Sequence, residues 1–139
     1  MPAAPALIAD TVNPVFVLLL AAAPFAAGRP AWPEAAGFWL RSALGIGLAV
    51  LLAEEGKRLQ IWPGHPSVPR GHETVALASL TCLAARDRRW LAPGLPLAGL
   101  LAYALVAADY HRPADVAGAL ATGPLPALLC HRAGRGRGS

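Results

Sequence analysis

The stretch Asp109-Tyr110-His111-Arg112-Pro113-Ala114-Asp115-Val116-Ala117-Gly118 lies where one apolar run ends and another begins. Pro113 suits the first turn of a helix, where its missing N–H leaves nothing unsatisfied. A helix starting there puts Asp115 in its first turn, within reach of His111 four residues earlier. A carboxylate that holds one imidazole nitrogen leaves the other available as nucleophile or base. The bland reading of the same residues is a polar helix start at a membrane surface. A second histidine weakens that reading: Pro69-Arg70-Gly71-His72 stands in a similar place, at the mouth of the preceding apolar run.

Outward from these two points the chain is mostly apolar. Of its 139 residues 55% are hydrophobic and 14% charged, a balance outside that of ordinary soluble domains. The apolar residues gather in runs separated by Pro, Gly and charge clusters, the pattern of an all-α polytopic membrane bundle in one domain. Residues 1–14, with three prolines and Asp10, read as a lead-in without the basic start of a secretory signal. Five runs follow, at 15–27, 35–53, 72–85, 90–108 and 113–129, and predict about five transmembrane segments within a domain over 15–131. Residues 132–139 form a basic tail expected to be disordered. Gly45 and Gly47 in the second run are suited to close helix contact, and Arg41 lies near enough to the run's start to snorkel. Cys82 and Cys130 have no disulfide or metal spacing and read as buried thiols.

The formal charge of +4 speaks to topology rather than to nucleic acid. With five segments, Arg29, Arg86, Arg88, Arg89, Arg132, Arg135 and Arg137 fall on one side. Lys57, Arg58, Arg70 and Arg112 fall on the other, offset by acidic neighbours. The positive-inside rule then places the tail in the cytoplasm. Both histidine-bearing connections face outward together, which favours one shared site. The polar connection 56–71 is part of that site or, on the bland reading, a solvated loop anchored by Trp62.

The order and spacing of these residues resemble the type 2 phosphatidic acid phosphatase superfamily, the fold shared by membrane lipid phosphatases and vanadium haloperoxidases. That family carries a lysine followed by Arg-Pro, then Pro-Ser-Gly-His, then Ser-Arg followed by His and Asp. His111 and Asp115 keep the last spacing, and Pro69-Arg70-Gly71-His72 is similar to the second motif. The first is faint. Lys57 is present with His65-Pro66 in place of Arg-Pro, one residue late, and counting from Arg58 restores the spacing. Ala104 and Leu105 occupy the positions of Ser-Arg. The likeness spans about residues 35–130, one segment short of the family's six.

The resemblance implies an integral membrane phosphatase acting on a lipid phosphate or isoprenoid diphosphate, seated in a bacterial inner membrane, without a cofactor. His111 would attack phosphorus, Asp115 would orient it, and His72 would protonate the leaving oxygen. Gly71, Lys57, Arg58 and Arg70 would hold the phosphoryl oxygens. A Leu105→Arg change would then restore a family group and raise activity. The lost arginine also admits a different class of function, a degenerate member that binds a phosphorylated lipid as a scaffold. A third reading is an unrelated small membrane protein or transporter subunit. Metal ligation by His65, His72, His111, Asp109 and Asp115 lacks a compact ligand spacing.

Overall fold

A computed structural model describes residues 3–59 and 71–135, and these are helical almost throughout. Six α-helices follow in order: α1 Ala3–Ala22, α2 Trp32–Arg58, α3 His72–Arg86, α4 Leu91–Ala107, α5 Pro113–Thr122 and α6 Pro124–Arg135. Single 3₁₀ turns, Ala23–Phe25 and Arg88–Trp90, close α1 and introduce α4. No strand occurs among the described residues.

Among the described residues three segments are long and apolar enough to cross a membrane: Ala4–Phe25, Trp32–Arg58 and Arg88–Ala107. The expected third run is α3, whose 15 residues span about 22 Å at 1.5 Å per residue, short of the ~30 Å hydrocarbon core. The expected fifth run is two helices, α5 and α6, divided at Gly123. There a Cβ would come 3.0 Å from both the Ala119 carbonyl oxygen and Leu77 Cβ, so any side chain at the join would have to push its neighbours aside.

α3 is the hub and packs against each of the other five helices. The interior is made of small residues. Ala9, Ala35, Ala49, Ala76, Ala78, Ala104 and Ala127 are fully buried, while Leu7, Leu18, Leu40, Leu51 and Leu95 are each more than half exposed. In water that inversion would be costly. In a bilayer, lipid covers the leucines, and association comes from close backbone approach between small residues. The three long apolar helices, turned outward in this way, have the character of membrane helices. Gly45 makes a close approach to the backbone of another helix, since a Cβ there would fall 2.7 Å from the Ala127 Cα. Gly47, expected to serve similarly, has open space beside it.

Several boundaries differ from expectation. The lead-in is helix from Ala3, with Pro14 inside α1, because Ala9, Val12 and Phe16 are buried against the bundle and packing outweighs one lost backbone hydrogen bond. α2 runs on to Arg58, so Lys57 and Arg58 occupy a last helical turn, where cations suit the dipole. The tail is helical as far as Arg135. Cys82 is buried and Cys130 half-buried, both free thiols.

The end of the bundle where α1 stops and α2 begins is tied by side chains. Carbonyls at a helix C-terminus lack intrahelical donors. Here Arg86 donates from Nε to the Ala23 oxygen and from Nη2 to the Pro24 oxygen, each at 3.2 Å. Its Nη1 reaches Glu34 at 3.3 Å, and the Trp39 indole donates to the Leu20 oxygen at 3.1 Å. Phe25, Trp32 and Trp39 stack about one another, an aromatic group of the kind found at membrane–water interfaces.

Candidate active site

At the other end, α2 stops and α3 and α5 begin. α4 reaches it through a left-handed turn. Asp109 has φ +58°, a conformation a short polar side chain tolerates. Around it the Asp109 N–H donates to the Val106 oxygen at 3.1 Å and the Tyr110 N–H to the Leu105 oxygen at 2.9 Å. That is a Schellman-type helix stop with aspartate in glycine's usual place. The His111 N–H also reaches the Leu105 oxygen, at 3.2 Å. The reversal carries His111 inward, leaving it 9% exposed, and Pro113 then opens α5.

Asp115 occupies the third position of α5. Its Oδ2 accepts the Arg112 N–H at 2.9 Å, satisfying the backbone at the helix start. The same oxygen lies 3.8 Å from His111 Nδ1, within ion-pair reach but too long for a hydrogen bond. Asp115 Oδ1 is buried with no hydrogen-bond partner among the described residues. Such an oxygen is costly unless something else donates to it.

Around this pair the wall of one pocket is completed by Lys57 from α2, by Gly71, Glu73 and Thr74 at the start of α3, and by Gly118 and Thr122 from α5. Two helix N-termini therefore meet there, and no side chain caps that of α3. Converging N-termini favour a negative ligand. Lys57 adds a half-buried ammonium, 4.0 Å from Glu54. Against these stand two carboxyls, Asp115 and Glu73. Glu73 is 5% exposed, and its Oε2 also lacks a hydrogen-bond partner among the described residues. The space enclosed is about 20 Å³, room for a water molecule but not for a phosphoryl group.

The structure thus brings together His111, Asp115, Lys57 and Gly71, drawn from three separate parts of the chain. It does not bring Arg58, which is exposed and paired with Glu55 at 3.0 Å. One turn of helix beyond Glu55 is the pairing distance on the outer face, and Arg58 follows it. His72 is half-buried in the first turn of α3 but is not on the pocket wall, because the helix turns the next residue, Glu73, inward instead. Arg70 and His65 lie outside the described residues. Ala104 and Leu105, which the resemblance sets where a Ser-Arg pair was expected, are fully buried in the core and off the wall. Among the described residues no three His, Cys, Asp or Glu side chains gather closely enough to hold a metal ion.

Sequence reasoning passed over Glu73. Its signal was present: an acidic residue at the head of an apolar helix is expensive in a membrane bundle and marks a site by default. Comparison with protein-family models, with curated proteins and with solved structures finds no match for this chain.

Proposed function

We propose that this chain is an integral membrane phosphatase acting on a lipid phosphate or isoprenoid diphosphate through a phosphohistidine. In this reading the bundle is a type 2 phosphatidic acid phosphatase-like fold of five segments, α5 and α6 together making the last. It sits in a bacterial inner membrane with the pocket outward and the C-terminus cytoplasmic. The observation that carries the proposal is the meeting of His111, Asp115, Lys57 and Gly71 at two helix N-termini.

Asp115 faces His111 Nδ1 at 3.8 Å, and in this reading Nε2 is the atom that attacks phosphorus. The bond from phosphorus to the ester oxygen breaks, and that oxygen takes a proton. His72 supplies it by the family's pattern; Glu73, on the pocket wall, is the second group placed to do so. Water then attacks the phosphohistidine, gives its proton to the same group, and phosphate leaves. Lys57 and the N–H groups at the start of α3 offset the charge that develops on the phosphoryl oxygens.

A second reading, a binding or scaffold protein for phosphorylated lipids, is favoured by two observations. The space beside His111 is about 20 Å³, and Leu105 stands in the core where the family keeps an arginine. Purified protein in neutral detergent, given phosphatidic acid and an aryl phosphate, separates the two. Release of inorganic phosphate with an acid-labile phosphoenzyme supports hydrolysis. Saturable retention of phosphatidic acid without release supports the scaffold, and neither result removes both.

A further inference from the structure

Far from the His111 pocket, at the end where α1 stops, a larger cavity of about 430 Å³ opens between α3, α6 and the start of α4. Its polar wall is Arg86, Arg88, Arg132 and His131, and its apolar wall includes Leu91 and Leu128. Among the described residues no Asp or Glu side chain lines it. Two carboxylates stand beside the wall without lining it: Glu34 pairs at 3.3 Å with Arg86, itself a wall residue, and Asp87 accepts the Arg89 N–H at 2.9 Å. Arg86 is held in place by the Ala23 and Pro24 oxygens, whereas Arg88 and Arg132 are exposed. His131 is buried and shares a hydrogen-bond contact of 3.2 Å with Ser42, which fixes that side of the cavity.

We propose that this cavity binds a phosphate-bearing anion, with an anionic phospholipid headgroup as the source the wall favours. Arginine side chains on three different elements, α3, the 3₁₀ turn before α4, and α6, offer planar donor sets that match phosphate oxygens. The apolar side of the wall includes Leu91, which is 36% exposed, and Leu95, one turn farther along α4, is 58% exposed. A ligand with an acyl chain thus has an apolar path from headgroup to bilayer. The Phe25, Trp32 and Trp39 group lies at the same end of the bundle, at the depth where headgroups belong. A basic pocket between helices at that depth is a headgroup site by general electrostatics. The inference does not rest on hydrolysis at His111.

The test uses the full chain in neutral detergent, with retained lipid measured by native mass spectrometry. Phosphatidylglycerol is expected to be retained and phosphatidylcholine not, with affinity falling as salt is raised. Arg88→Gln/Arg132→Gln replaces two exposed side chains and is expected to weaken phosphatidylglycerol about thirtyfold, roughly fivefold per charge. His111→Ala is expected to leave retention unchanged. Displacement of the lipid by millimolar inorganic phosphate would support the anion site and assign its recognition to phosphate alone. Retention despite phosphate would assign it to the whole lipid. Equal retention of phosphatidylcholine, or undiminished retention by the folded double variant, would overturn the proposal.

Discussion

Where α3 and α5 begin, an imidazole, an ammonium and two carboxyls close around about 20 Å³; where α3 ends, arginines and an imidazole line about 430 Å³. The first end buries carboxyl oxygens that lack partners among the described residues. At the second, the guanidinium of Arg86 is used to satisfy helix carbonyls. The difference teaches what each end is suited to. A tight, mixed-charge pocket with an oriented imidazole is fit for handling a few atoms at close range. An open, one-signed cavity is fit for holding an anion without changing it. α3 joins the two and separates them by its 15 residues, so each end is open to perturbation without the other.

The largest expected effect removes the chemistry of the first end. On the proposed mechanism His111→Ala should lower phosphate release by about 10³-fold or more, because it deletes the nitrogen proposed to attack. Hydrolysis that persists in this variant would break the contrast by showing that the pocket is not where phosphorus reacts. His72→Ala and Glu73→Gln sharpen the same point. The variant of the true proton donor should lose most on an alkyl phosphate and least on an aryl phosphate, whose oxygen leaves without help.

Next in size is Leu105→Arg. The resemblance suggests a gain, but Leu105 is fully buried among apolar side chains, and an unpaired guanidinium there should cost about 3–5 kcal/mol. Thermal unfolding in detergent should show the loss. A stable, more active variant would mean that the pocket extends to α4 and that the two ends are coupled. Asp115→Asn comes after it. The amide can still accept the Arg112 N–H, so unfolding should move little, while turnover drops about 10²-fold as the imidazolium loses its counter-charge.

Gly45→Ala probes the second end through packing. Its Cβ would meet the Ala127 backbone at 2.7 Å, one turn from both Ser42 and His131. Backbone cannot yield as a side-chain tip can, so a loss of about 1–3 kcal/mol is expected, together with weaker retention of anionic lipid. The smallest effect belongs to Arg58→Ala. Its pair with Glu55 is exposed, worth less than about 0.5 kcal/mol, and turnover should be unchanged. A large fall in turnover would put Arg58 in the site after all.

Much of this architecture is legible in the residues themselves. Long apolar runs broken by Pro, Gly and charge determine helices, because a buried or lipid-covered backbone must satisfy its own hydrogen bonds. The pairing of His111 with Asp115 is equally local. Pro113 starts the helix, and four residues across its first turn bring the two side chains together. What only the tertiary structure decides is which way each helix turns. In α1, α2 and α4 leucine and alanine are both apolar, so no periodicity says that Ala49 and Ala98 lie inside while Leu48 and Leu95 face out. Backbone proximity settles it by admitting only the smaller residue. The same rotation places Glu73 rather than His72 on the pocket wall, sends Arg58 outward and puts Leu105 in the core. The arginine-lined cavity too exists only once α3 and α6 are side by side, for Arg88 and Arg132 are far apart along the chain and acquire a common neighbour solely through that contact.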